Sequence, residues 1–157
     1  MKKNFPLKAK VTIGADFLNK EITIDNQKVS LQIWDTAGQE QYQALGKAYY
    51  RGSDFCIFVF DVSDRNSFEH LSNWIETYTQ YSNIKEAKIE NDFPMIIFGN
   101  KIDHPSRMVS ENEAVKWCKE NNNLDYFEVS AKTGANITKA FEAVARRALK
   151  QNSKYHN

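Results

Sequence analysis

Asn100, Lys101 and Asp103 stand together in one short segment, Asn100-Lys101-Ile102-Asp103, directly behind the apolar run Pro94 to Phe98 and its closing Gly99. A carboxylate in such a loop can accept two parallel hydrogen bonds from a guanine edge, one from the ring N–H and one from the exocyclic amine. Adenine lacks that pair of donors, so an aspartate here confers choice of base. The lysine stem can lie along the base plane, and the asparagine can tie neighbouring loops together. Chance supplies Asn-Lys-x-Asp in only about a few per cent of chains this long, so a solvated turn is the weaker reading.

Three more polar segments carry chemistry of a matching kind. Asp35-Thr36-Ala37-Gly38-Gln39-Glu40 follows the run ending at Trp34. There Asp35 can reach a magnesium ion through water, Gly38 lets a backbone N–H approach a terminal phosphate, and Gln39 can orient an attacking water. The bare Asp-x-x-Gly pattern arises in roughly half of chains of this length and decides nothing alone. Ser130-Ala131-Lys132 follows the run Asp125 to Val129, and its backbone N–H groups can reach a base carbonyl oxygen. Thr12, in Thr12-Ile13-Gly14, offers a hydroxyl for magnesium and an N–H for the terminal phosphate.

These segments need elements to position them. The 157 residues are 41% hydrophobic and 26% charged, which suits one globular domain. A net charge of +1 gives no electrostatic reason to expect nucleic acid or an anionic membrane as partner. Cys56 and Cys118, like His70, His104 and His156, are scattered, so they predict buried thiols in a reducing compartment rather than a metal site. The amino terminus has no signal-peptide pattern and no run of about 18 apolar residues spans a membrane, so a cytosolic protein is expected.

Asp16 to Ile24 and Val29 to Trp34 alternate, with turn residues Asp25 to Lys28 between them, and read as a hairpin. Phe55 to Phe60 and Pro94 to Phe98 are short continuous apolar runs, expected as strands covered on both faces. Phe68, Leu71, Trp74, Ile75 and Tyr78 form one helical stripe. Ser110 and Glu113 form a capping box that opens a helix carrying Val115, Trp117 and Cys118. Ile137, Ala140, Phe141, Val144, Ala148 and Leu149 predict a last amphipathic helix. Strands alternating with helices indicate an open α/β sheet, in which ligands collect at the carboxyl ends of the strands.

Taken in order, DTAGQE, NKID and SAK resemble the Ras superfamily. The segments Ile13 to Phe17, Leu31 to Trp34 and Tyr49 to Ser53 are similar to Rab signatures. FLNK, YRGSD, SFEHLSNW and FGNKID further resemble the late-endosomal Rab seven and nine subgroup. The resemblance runs from about Phe5 to Leu149 and implies an α/β Ras-like P-loop NTPase fold, a mainly parallel sheet with helices on both faces. It implies one small-GTPase domain over 1–150, with 151–157 a short polar tail. GTP or GDP and Mg2+ are the implied ligands, and hydrolysis resets a switch in vesicle traffic. Thr12 and Asp35 are then the magnesium residues and Gln39 the catalytic one. Thr12, Gly38, Asn100, Lys101, Asp103, Ser130, Ala131 and Lys132 bind nucleotide, and Phe17, Trp34 and Tyr49 form an aromatic triad for effectors. Without the family, such aromatics would more often be core. Rab effectors, an exchange factor and an activating protein are the implied partners. Gln41 and Tyr42 depart from the Arg that Rabs commonly carry at the first of these positions.

Small GTPases also need Gly-x-x-x-x-Gly-Lys-Ser/Thr between their first strand and first helix. The six glycines here are Gly14, Gly38, Gly46, Gly52, Gly99 and Gly134, and none completes that motif. By resemblance Met1 falls near the end of the first helix, so the first strand, this loop and most of the first helix, about 30 residues, are expected to be missing from this chain. Weak binding of GTP by these 157 residues is therefore expected, with a gap between the strand ending at Trp34 and the one starting at Phe55. Either those two strands close on each other or unpaired backbone lines the gap and stability is marginal. No cysteine follows Cys118, so no lipid anchor is expected in this chain, and the cytosolic face of endosomal membranes is implied only with a lipidated tail. Two functional classes stay open: a guanine-nucleotide switch, and a non-hydrolysing module that offers an effector surface.

Overall fold

The computed structural model describes residues 12, 15–38, 48–82 and 94–155, the last five by backbone alone. Strand β1 (Ala15–Ile24) pairs antiparallel with β2 (Gln27–Thr36), in a register that sets Phe17 opposite Trp34 and Ile24 opposite Gln27. Asp25 and Asn26 make the whole turn, with φ of 49° and 65°. Both are left-handed, the conformation whose twist matches two-residue hairpins, and Asp and Asn tolerate it best after glycine. The four-residue turn expected from the sequence is therefore too long, since Gln27 and Lys28 already belong to β2.

Strands β3 (Cys56–Asp61), β4 (Met95–Asn100) and β5 (Asp125–Glu128) form a second, wholly parallel sheet in that order. Helices α1 (Arg65–Glu69), α2 (Leu71–Tyr81) and α3 (Glu111–Glu120) supply Phe68, Leu71, Tyr78, Ala114 and Cys118 to one face, over Phe58, Phe60, Met95 and Ile97. The stripe expected on one helix is shared by two, because the chain breaks at His70. Helix α4 (Ile137–Tyr155) covers the other face, setting Ala140 and Val144 against Ile96, Phe98 and Val129. Parallel sheets are stable only when covered in this way. The expectation of two covered faces holds for β4, buried from Met95 through Gly99, but not for β3, whose Val59 is 56% exposed.

The hairpin and the parallel sheet are separate among the described residues: β2 and β3 do not pair. The strands have not closed on each other. Two contacts of one helix locate the hairpin's turn instead. On α4, Arg146 reaches Asp25 in the hairpin turn at 2.5 Å, and Arg147 reaches Asp125 at the start of β5 at 3.1 Å. The turn therefore lies level with the amino end of the parallel strands, and Ile24 beside it is buried. Asp61, Asn100 and Glu128 are the carboxyl ends of the three parallel strands.

Candidate functional site

The loops behind β4 and β5 are drawn together by side chains at the strand ends. Val129 N–H donates to the Gly99 carbonyl at 2.8 Å, and Ile102 N–H to the Val129 carbonyl at 3.3 Å. Asn100 Oδ1 accepts from the Ala131 N–H at 3.0 Å, so the asparagine does tie the loops together. Ser130 is fully buried and donates its hydroxyl to Asp103 Oδ1 at 2.5 Å, while accepting from Thr133 N–H at 3.1 Å. The Lys132 ammonium stands 3.9 Å from the other carboxylate oxygen. The donated Ser130 hydroxyl holds the Asp103 carboxyl below its usual range; desolvation opposes this and Lys132 adds to it. An ionised, acceptor-only carboxylate is what recognition of paired N–H donors requires.

Beyond Asp103 the loop is pinned on both sides. Met108 and Val109 N–H both donate to the Val62 carbonyl, at 2.8 and 3.0 Å. Arg107 pairs with Glu128 through two guanidinium nitrogens and donates its Nε–H to the Val109 carbonyl at 2.8 Å. Glu128 also accepts from the Tyr126 hydroxyl at 3.0 Å, and the Asn136 amide donates to its carbonyl at 2.9 Å. Lys101 has a left-handed backbone, φ 65°, and its ammonium meets Asp61 Oδ2 at 2.5 Å. Sequence reading missed Asp61, Arg107, Tyr126 and Glu128. The one available signal was an acid closing the apolar run of β3.

Gly99 is required where it stands. A Cβ there would collide with the Tyr126 hydroxyl and lie 3.0 Å from Tyr126 Cζ and 3.2 Å from Phe60 Cζ. The tyrosine is held by Glu128 and packs against Phe60, so it has little room to give. Gly99→Ala should lower stability by about 1–3 kcal/mol, the range for overpacked interiors. A urea midpoint equal to the unmodified protein's would show that Tyr126 swings clear.

The hairpin carries the other predicted residues. Thr12 Oγ1 lies 3.4 Å from Asp35 Oδ2, which brings together the two residues expected near magnesium. Gly38 is exposed, with open space where a side chain would stand. Gln39 lies outside the described residues, as do Gln41 and Tyr42. Among the described residues no group of three or more His, Cys, Asp or Glu side chains is placed to hold a metal. Thr12 and Asp35 are oxygen donors of the type magnesium takes, but magnesium usually shares its sphere with water and substrate phosphates. The donor set of the two loops fits a guanine base. The chain contains no glycine-rich phosphate loop to complete the phosphate and metal part.

Phe17, Trp34 and Tyr49 form a stack, with ring centroids 4.6 Å apart for the first pair and 4.8 Å for the second. They are 42%, 47% and 37% exposed, so they are a surface rather than the core that strand aromatics usually join. No described helix is long and apolar enough to cross a membrane.

Comparison with known proteins shows the family to which the chain belongs. A model of the Ras family matches residues 1–150. The chain is 46% identical over 151 residues to Ras-related protein RABG3f of Arabidopsis thaliana, covering 94% of this chain and 72% of that protein. It is 48% identical over 138 residues to Ras-related protein Rab-9A of Homo sapiens, covering 88% and 67%. With Ras-related protein Rab7 of Pisum sativum the identity is 47% over 151 residues, covering 94% and 72%.

Proposed function

The chain belongs to the Ras family, as a Rab small GTPase of the Rab7 and Rab9 group, and from that premise we propose that it is a guanine-nucleotide switch of vesicle and endosomal traffic whose 157 residues grip the base far better than the phosphates. One observation carries the reading: Asn100, Lys101, Asp103, Ser130 and Ala131 converge from two strand ends into a hydrogen-bonded cradle.

Asp103 accepts the guanine ring N–H and amine, Asn100 holds the Ser130–Lys132 loop at the right height, and the Lys101 stem lies along the ring. Thr12 and Asp35 are the residues that would face magnesium, and Gln39 is the residue proposed to orient water. Magnesium, when bound, neutralises charge on the phosphates. Hydrolysis depends on positioning and charge stabilisation, and without a phosphate loop this polypeptide should hydrolyse GTP poorly. Phe17, Trp34 and Tyr49 are the proposed effector surface, and effectors, an exchange factor and an activating protein the proposed partners. The exposure of that stack favours a second reading, an effector-binding module with no nucleotide cycle.

Thermal denaturation separates the two. A ligand that binds only the folded form raises the midpoint, and about 10 mM GTP at a millimolar dissociation constant corresponds to roughly 1.4 kcal/mol. For a domain of this size the rise should be about 3–5 °C with Mg-GTP and near zero with Mg-ATP. Equal midpoints with and without GTP would favour the module.

A further inference from the structure

Asp61 closes β3 directly beside Asn100, the last residue of β4 and the first of the base-binding segment. Its main chain is clamped by a single hydroxyl: Asp61 N–H donates to Ser67 Oγ at 2.9 Å, and that hydroxyl faces the Asp61 carbonyl at 3.2 Å and the Asp64 carbonyl at 2.8 Å. Its side chain is equally committed. Oδ1 accepts from Ser63 N–H at 2.8 Å and from the Ser63 hydroxyl at 2.6 Å, which leaves Oδ2 to the Lys101 ammonium at 2.5 Å. The carboxylate side chain is only 20% exposed, whereas the lysine is 57% exposed. One partner is thus rigid and sheltered, and the other is a long chain that would otherwise sweep solvent.

Lys101 carries a second sign of constraint. Its left-handed backbone is unfavourable for a residue with a Cβ, and such conformations persist where neighbours over-determine them, often at ligand sites. The His104 N–H bonds its carbonyl at 2.8 Å, so the turn is fixed from the main chain while Asp61 fixes the far end. Tethered at both ends, the methylene stem becomes a shelf.

We propose that Asp61 is a positioning residue for the nucleobase: by holding the Lys101 ammonium it lays the lysine stem where a purine ring rests, without itself touching the ligand. The inference rests on the guanine-binding reading above. Burial alone would raise the Asp61 carboxyl's affinity for a proton, but the Lys101 and Ser63 donors outweigh it and hold the carboxyl below its usual range. The tether therefore stays charged at neutral pH.

The test is a titration with 5′-GMP, followed by affinity and by ring-current shifts on the Lys101 side-chain methylenes in NMR. Partly exposed ion pairs seldom exceed about 1 kcal/mol, which is a fivefold change in binding. Asp61→Asn should weaken GMP binding about fivefold and shrink the Lys101 shifts, with Asp61→Glu restoring part of both. Ser63→Ala, which loosens the carboxylate but keeps its charge, should give a smaller loss of about twofold, and serves if Asp61→Asn fails to fold. Unchanged affinity and shifts in Asp61→Asn would overturn the proposal while leaving base binding intact. Tighter binding would overturn it too, since the ion pair would then hold the lysine away. Failure of the unmodified chain to take GMP would remove the base-binding reading itself, and this inference with it.

Discussion

Asp103→Asn should exchange the preferred base from guanine to xanthine. The carboxylate offers two acceptors, which match the ring N–H and the amine of guanine. An amide offers one acceptor and one donor, which match the ring N–H and the carbonyl that xanthine carries in place of the amine. Ser130 can still donate to the remaining carbonyl oxygen, so the loop need not rearrange. The loss concerns one hydrogen bond to a charged group, and such bonds contribute about 1.5–3 kcal/mol. The variant should therefore bind GMP about 10- to 100-fold more weakly and gain on XMP by a comparable factor. Titrations with the two monophosphates read the exchange directly. Equal loss of both ligands would mean that Asp103 supports the loop rather than reading the base.

The second large effect concerns the phosphates. A glycine-rich loop ordinarily gives several backbone N–H groups and a lysine to the phosphates, and a hydroxyl to magnesium. Losing four charge-assisted bonds of this kind forfeits on the order of 6–12 kcal/mol, or about four to nine powers of ten in affinity. None of the six glycines in these 157 residues supplies such a loop. The β- and γ-phosphates should thus add little, and GTP should bind within about tenfold of GMP, both near millimolar. That near-equality distinguishes a base cradle from a working nucleotide site, in which the phosphates dominate.

Much of this was legible before any coordinates. The runs around Phe58, Ile97 and Tyr126, and the stripe from Ile137 onward, placed the parallel sheet and α4, because short apolar runs and helical spacing report burial directly. NKID was legible as a candidate base-binding segment because its residue types are rare at that spacing, whereas SAK drew its weight only from occupying the next strand-end loop. The open face of β3 was not, since Val59 sits in a run as apolar as β4's and periodicity cannot say whether a neighbour covers it. Nor was the network behind the cradle. Arg107 and Glu128 are 21 residues apart in sequence, joined by a loop's path across the sheet end, and Asp61 meets Lys101 through the register of β3 with β4, neither of which a local pattern encodes. The helix break at His70 also escaped, because both halves keep the same apolar stripe. The aromatic triad was ambiguous for a related reason: Phe17 and Trp34 share one face of the hairpin by register, but only the structure shows that the described residues leave it partly exposed.

The most direct test follows the backbone amides of the unmodified protein by NMR while 5′-GMP and then GTP with magnesium are added to it. Shifts should centre on residues 100–103 and 130–132 for both ligands, with smaller ones at Thr12 and Asp35 when GTP and magnesium are present, and with dissociation constants that agree within about tenfold. Shifts centred elsewhere, or GTP binding to these 157 residues a thousandfold more tightly than GMP, would contradict the proposal that the two loops after β4 and β5 supply most of the grip these residues have on the nucleotide.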